Sequence, residues 1–199
     1  MGTFGILGDQ RSSTDLAILR RRCHLESTSV IEFLKARFPN AKVIFADQLT
    51  ASSTDAASAI RTQIEKIAKS IVFASDNMTA VVVISGAKRV SRSKLRSHQK
   101  DHSLKIASPE VVLQRTGYVV GGVSPLLLPE GVEVLVDSSL LDFEAVWISA
   151  GSPYAVVELS KSQLMELFVG RFGQFDEAVD AEQCCSVDYQ APEKVHNQF

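Results

Sequence analysis

Between residues 115 and 125 the chain sets three glycines and a proline in one short run, Arg115-Thr116-Gly117-Tyr118-Val119-Val120-Gly121-Gly122-Val123-Ser124-Pro125. Gly121 and Gly122 tolerate positive φ and let a ligand approach bare backbone. Such a loop can aim N–H groups at a carbonyl oxygen that gathers negative charge, the core of an oxyanion site. A tight turn or bulge between strands, with no ligand, is the plain alternative. Other chemistry is poorly supplied. His24, His98, His102 and His196 fall into no Ser-His-Asp arrangement, and His98 and His102, four apart, lack the glutamate of a zincin motif. The matches Ser91 to Lys94 and Ser97 to Lys100 resemble a Ser-x-x-Lys nucleophile, but their companion motifs are missing and the stretch is simply rich in both residues. Cys23, Cys184 and Cys185 are odd in number with two adjacent, which suits reduced thiols in an intracellular protein better than a disulfide framework. No Cys-x-x-Cys pair offers a zinc ribbon, so no metal and no cofactor is expected.

The elements that must position the loop follow from caps and periodicity. Ser29-x-x-Glu32 matches a capping box, Val30, Phe33, Leu34 and Phe38 keep helical spacing, and Pro39 stops the run. Val43 to Phe45 reads as a short strand. The patch from Thr50 to Asp55 offers N-caps for a second helix, with an apolar stripe of Ala56, Ala57, Ile60, Ile64 and Ile67. Ser70 to Ala74 and Thr79 to Ser85 predict a hairpin turning at Asp76-Asn77, its second strand apolar enough for burial on both faces. Ser91 to Lys100 reads as a basic surface helix. Ser108-Pro109-Glu110 opens another, which Gly117 should close. Strands are predicted at Val132 to Val136, Ala145 to Ser149 and Tyr154 to Leu159, and Ser160-x-x-Gln163 caps a last helix carrying Leu164, Leu167 and Phe168. Strands and helices mix without strict βαβ alternation, so the predicted class is α+β, a single domain with a mixed sheet.

At 199 residues the chain is long enough for one hydrophobic core without staples. The expected division is an N-terminal extension over 1–26, a domain over 27–173, and an acidic tail over 174–199. No apolar run approaches the roughly 20 residues of a membrane span, and Asp9 and Asp15 argue against a transit peptide, so a cytoplasmic protein without membrane contact is expected. Net charge is only −2, yet its distribution is uneven. Lys88, Arg89, Arg92, Lys94, Arg96, Lys100 and Lys105 stand against the single acid Asp101. A local basic face of this kind can track phosphates, although charge runs are often just solvated surface.

Thr116 to Pro125 resembles the glycine loop, TG-x-x-x-GG-x-x-P, of the YbaK/ProX aminoacyl-tRNA deacylases. Three further stretches resemble that family in order and spacing: Ile67-Ala68-Lys69-Ser70-Ile71-Val72-Phe73, Val134 to Leu140, and Val146-Trp147-Ile148-Ser149-Ala150-Gly151. The likeness runs from about Ser27 to Phe172. It implies a curved mixed sheet partly wrapped around a helix, and a hydrolase that cleaves the ester of mischarged tRNA in trans. Lys69 matches the functional lysine, which would hold the charged CCA end rather than act as nucleophile. Lys69, Gly121 and Gly122 become the catalytic candidates. Thr116, Gly117, Val123, Ser124, Pro125, Asp137, Ser149 and Gly151 become the substrate-binding ones, and Arg89, Arg92, Lys94 and Arg96 the tRNA-binding ones. The implied partners are the aminoacylated tRNA end and an aminoacyl-tRNA synthetase. The competing expectation is a non-catalytic module that binds tRNA or a synthetase. The chain departs from the branch acting on Cys-tRNA(Pro), which carries an acid at the place of Val156 and a small residue and glycine where Leu126 and Leu127 stand; this leaves the amino acid open.

Overall fold

The structure, a computed structural model, describes residues 27–46 and 52–177. The expected N-terminal extension and most of the expected tail lie outside the described residues. In chain order the elements are α1 (27–37), β1 (Val43–Phe45), α2 (Ser53–Ile60), a 3-10 turn (Ile64–Lys66), β2 (Ile67–Ala74), β3 (Thr79–Ser85), β4 (Arg89–Val90), α3 (Arg92–Gln99), β5 (Lys105–Ile106) and α4 (Pro109–Thr116). Then follow β6 (Val132–Asp137), a second 3-10 turn (Ser138–Asp142), β7 (Ala145–Ser152), β8 (Ala155–Ser160), α5 (Lys161–Leu167), β9 (Phe172–Gly173) and β10 (Asp176–Glu177).

Caps written into the sequence set most of the helix starts. Ser52 takes the N–H of Asp55 while the Asp55 carboxylate reaches back to Ser52, and Ser160 and Gln163 form the same reciprocal pair. Ser108 caps α4, Pro109 fills its first turn, and Gly117 closes it at φ +78°. The apolar stripe expected to run from Ala56 to Ile67 on one helix is broken. The helix ends at Ile60, Arg61 takes a left-handed cap at φ 56°, Ile64 enters the 3-10 turn, and Ile67 opens β2. The strand therefore starts three residues earlier than expected, which places Lys69 inside it.

The main sheet has the order β1-β8-β7-β2-β3-β6-β9, with β5 added to β2. Hairpin neighbours run antiparallel, whereas β2/β7, β3/β6 and β6/β9 are parallel, so the sheet is mixed as expected. Every residue of β3 is buried. At a minimum of ~1.5 kcal/mol for each buried valine or isoleucine, this strand anchors the sheet. On one face, Val30 and Leu34 of α1, Val112 of α4, Leu164 of α5 and Phe168 just beyond it pack with Ala68, Val72, Val81 and Val83. On the other face Ala56 and Ala57 of α2 cover Ile67, Trp147 and Val156, while Leu95 of α3 joins Phe73, Val82, Leu104, Leu135 and Phe175.

Phe175 is 2% exposed, its N–H meets the Asp137 carboxylate at 2.8 Å, and β10 pairs with β4. Packing thus continues to Glu177, four residues past the expected end of the domain at 173. Asp176 bonds Lys88 at 2.7 Å, and that hydrogen bond, with the nearby positive charges, holds its carboxyl below the ordinary 3.8. Because the folded value is the lower one, this contribution is present at neutral pH and fades as pH falls through the acid range.

Candidate active site

Lys69, Ser149 and Val156 share one face of the sheet. Ile67 lies beside Trp147 in parallel register, so Lys69, two residues on, falls on the face of Ser149, and Ser149 is the cross-strand partner of Val156. The Lys69 stem is half-buried, and its ammonium donates to the Gly86 carbonyl at 3.0 Å. Gly86 lies just beyond β3, where its own N–H bonds Ile67 O at 2.6 Å. A positive charge is thereby held at the mouth of β2 instead of sweeping freely through solvent.

Next to this row the β7/β8 ladder slips between Ser149 and Ser152. Gly151 takes φ +90° to make the bulge, its N–H bonds the Ser149 hydroxyl at 3.3 Å, and that hydroxyl lies 3.5 Å from Ser152 O. The bulge seats the glycine loop. A Cβ on Gly122 would stand 2.8 Å from Pro153 Cδ and 2.9 Å from its nitrogen, so only glycine lets loop and hairpin touch. Ser149, the bulge and Gly122 are thus consecutive neighbours, and Lys69 lies on the Ser149 face of the adjoining strand.

The loop's own bonds divide its candidates by role. Gly122 N–H closes a turn on Val119 O at 2.9 Å, so it is not offered to a ligand. Gly121, at φ +83°, keeps an N–H that no described residue accepts. The Thr116 hydroxyl donates to Val112 O at 2.7 Å and accepts the Tyr118 N–H at 3.1 Å; the Tyr118 phenol donates to Leu126 O at 2.9 Å. Ser124 is fully buried and accepts the Leu126 N–H, while Val123 and Leu126 sit in the main core. Thr116, Gly117, Val123, Ser124 and buried Pro125 therefore shape the loop from within. Of the departures noted in sequence, Leu126 faces the core, Leu127 is half-exposed, and Val156 lies on the Lys69 face opposite Ser149.

Asp137, expected to bind substrate, is 1% exposed and fully engaged: it accepts from Ser139 N–H and hydroxyl and from Phe175 N–H. It joins the turn after β6 to the Phe175 segment. The basic run is likewise divided. Lys94 donates to Asp176 O at 2.7 Å and Arg96 to Leu104 O at 2.9 Å, whereas Arg89 and Arg92 are exposed. Two residues went unnoticed in sequence. Gly86 anchors Lys69, and Pro153 seats Gly122; their signals were only the turn-forming pairs Ser85-Gly86 and Ser152-Pro153. Among the described residues no group of three or more His, Cys, Asp or Glu side chains could hold a metal, and no helix is long and apolar enough to cross a membrane.

This fold and loop are those of a known class. The profile of the aminoacyl-tRNA editing domain matches residues 47–167, and the chain belongs to that family. It is 30% identical over 119 residues to the uncharacterized protein YwhH of Bacillus subtilis, covering 59% of this chain and 76% of that one. It is 38% identical over 61 residues to a proline--tRNA ligase of Thermotoga neapolitana, covering 31% of this chain but only 11% of the ligase. The crystal structure of a candidate trans-editing enzyme for prolyl tRNA synthetase superposes with a TM-score of 0.69 at 27% identity, over 76% of this chain and 97% of that one.

Proposed function

We propose that this chain is a trans-acting deacylase that hydrolyses the ester between tRNA and a wrongly attached small amino acid. The observation that carries the reading is a half-buried, anchored Lys69 ammonium on the sheet face of Ser149, where the neighbouring β7/β8 bulge seats the glycine loop, in a member of the aminoacyl-tRNA editing family. Water adds to the ester carbonyl, the carbon–oxygen bond to the ribose breaks, and the proton from water ends on the ribose oxygen as the amino acid leaves. The ester is reactive, so positioning and charge stabilisation suffice and no protein nucleophile is needed. In this reading Gly121 N–H supports the carbonyl oxygen as charge develops, and Lys69 holds the charged acceptor end. Ser149 and Gly151 line the site. Cytoplasm, where charged tRNA is used, is the compartment this activity implies.

Of the four tRNA-binding candidates, Arg89 and Arg92 are the ones left to track phosphates, with Lys94 and Arg96 in supporting positions. Reversing both exposed charges (Arg89→Glu with Arg92→Glu) should weaken tRNA binding broadly and flatten the plot of log affinity against log salt by about 1.5–2. An unchanged slope would return this face to plain solvated surface.

Selectivity falls to Val156. One methylene shifts discrimination by only ~1–3 kcal/mol, so shape admits alanine, serine, threonine or cysteine and excludes larger side chains. The test is to compare alanyl, seryl, threonyl and cysteinyl esters on one tRNA. Wild type should cleave at least one of them in preference to the rest, and Val156→Ala should broaden acceptance more than it slows the preferred ester. An unaltered preference would place the filter elsewhere, and inertness toward all four would favour the non-catalytic binding module.

A further inference from the structure

We infer that Gly86 is a positioning residue for Lys69, and that it is glycine because the anchor it forms leaves no room for a side chain. The Gly86 carbonyl is the acceptor for Lys69 Nζ at 3.0 Å, across the ladder that joins β2 to β3. The peptide that leads into that carbonyl is fixed from several sides. Gly86 N–H bonds Ile67 O at 2.6 Å, Lys88 N–H bonds the adjacent Ser85 O at 3.0 Å, and the Ser85 hydroxyl bonds Glu65 O at 2.9 Å. The 3-10 turn before β2, the start of β2 and the end of β3 are therefore tied together around one peptide.

Space, and not conformation, demands glycine here. Gly86 is absent from the positive-φ residues, so an L side chain meets no backbone strain. A Cβ, however, would stand 2.5 Å from Ile64 O, 2.8 Å from Ser53 Cβ and 3.0 Å from Ile64 Cγ1. The first obstacle is backbone and the second is the first turn of α2, and neither swings aside as a side-chain tip would. Relief requires moving the 85–87 peptide away from the 3-10 turn, and that carries the carbonyl away from Nζ. Lys69 keeps its charge but loses its fixed place on the Ser149 face of the sheet. A displacement of about 1 Å in a group that holds a reacting substrate can cost about 100-fold in rate.

The kinetic arm of the test rests on the deacylase reading; a second arm does not. In single-turnover deacylation Gly86→Ala should lower the rate at saturating tRNA about tenfold or more while leaving apparent tRNA affinity nearly unchanged. In a Lys69→Ala background the same change should cost little further, because the group it positions is gone. Independent, multiplying losses would overturn the inference. The second arm is competitive labelling of lysines with a trace of acetic anhydride, read by mass spectrometry. Gly86→Ala should raise the reactivity of Lys69 several-fold relative to exposed Lys35 and Lys161, whether or not any ester is cleaved. Ser85→Ala, which removes only the tie to Glu65, should shift Lys69 the same way by a smaller factor and serves if Gly86→Ala does not fold. Unchanged Lys69 labelling in a folded variant would sink the proposal, whereas changed labelling with no deacylation by wild type would leave the anchor standing and remove the enzyme.

Discussion

Lys69→Ala should lower ester hydrolysis on mischarged tRNA about 100- to 1,000-fold, the usual loss when one preorganised charge is removed from a reacting centre. The alanine keeps the strand, since Lys69 pairs through its backbone with Ile84, one pair in from the end of the β2/β3 ladder. Its side chain takes with it the ammonium held by Gly86 O. Binding of uncharged tRNA should stay within a few-fold, because the cations proposed to track phosphates lie elsewhere. Lys69→Arg should recover only part of the rate: a planar fork cannot reproduce a compact ammonium on the same carbonyl. The check is single-turnover release of labelled amino acid, with a thermal melt to show that the variant is folded. Equal rates for wild type and Lys69→Ala would remove this lysine from the mechanism.

Asp137→Ala should do the reverse, costing stability and sparing chemistry. The buried carboxylate takes N–H groups from Ser139 and Phe175 and the Ser139 hydroxyl, the Phe175 bond buried and the two from Ser139 partly so. Its loss leaves the Phe175 N–H without its acceptor and loosens the segment that carries Phe175 into its cluster. A buried polar network broken in this way costs about 2–4 kcal/mol, which lowers Tm by about 5–12 °C in a domain of this size. The turnover of the fraction that remains folded should be close to that of wild type. A large fall in rate with an unchanged melt would mean that Asp137 reaches substrate after all.

The contrast between these two residues shows what sequence can and cannot carry. Features fixed within four residues were legible: the Ser108-Pro109 helix start, the Gly117 end, the Ser160/Gln163 box and the turn at Asp76-Asn77 all appear where expected. The glycine loop was legible as an unusual backbone path, and Gly121 and Gly122 indeed serve different ends within it. What failed depended on partners far along the chain. Nothing local marks Arg61 as the end of α2, and the spacing of Ile64 and Ile67 continues the helical stripe by coincidence. The start of β2 is set by pairing of Ile67 and Ala68 with Trp147 and Ile148. Lys94 reads as free cationic surface until Asp176 is brought to it from 82 residues away. Phe175 was a hint that the first residues of the acidic run, to Glu177, still belong to the fold, since an aromatic side chain there needs somewhere to be buried.

The most direct measurement is multiple-turnover deacylation by the wild-type chain, supplied in catalytic amount to a panel of tRNAs charged with alanine, serine, threonine or cysteine beside the correctly charged forms. The predicted result is release of at least one small amino acid well above the rate in buffer, with more than one turnover per enzyme and with correctly charged tRNA left intact. Release no faster than in buffer for every member of the panel, by a chain that still binds tRNA, would contradict the account.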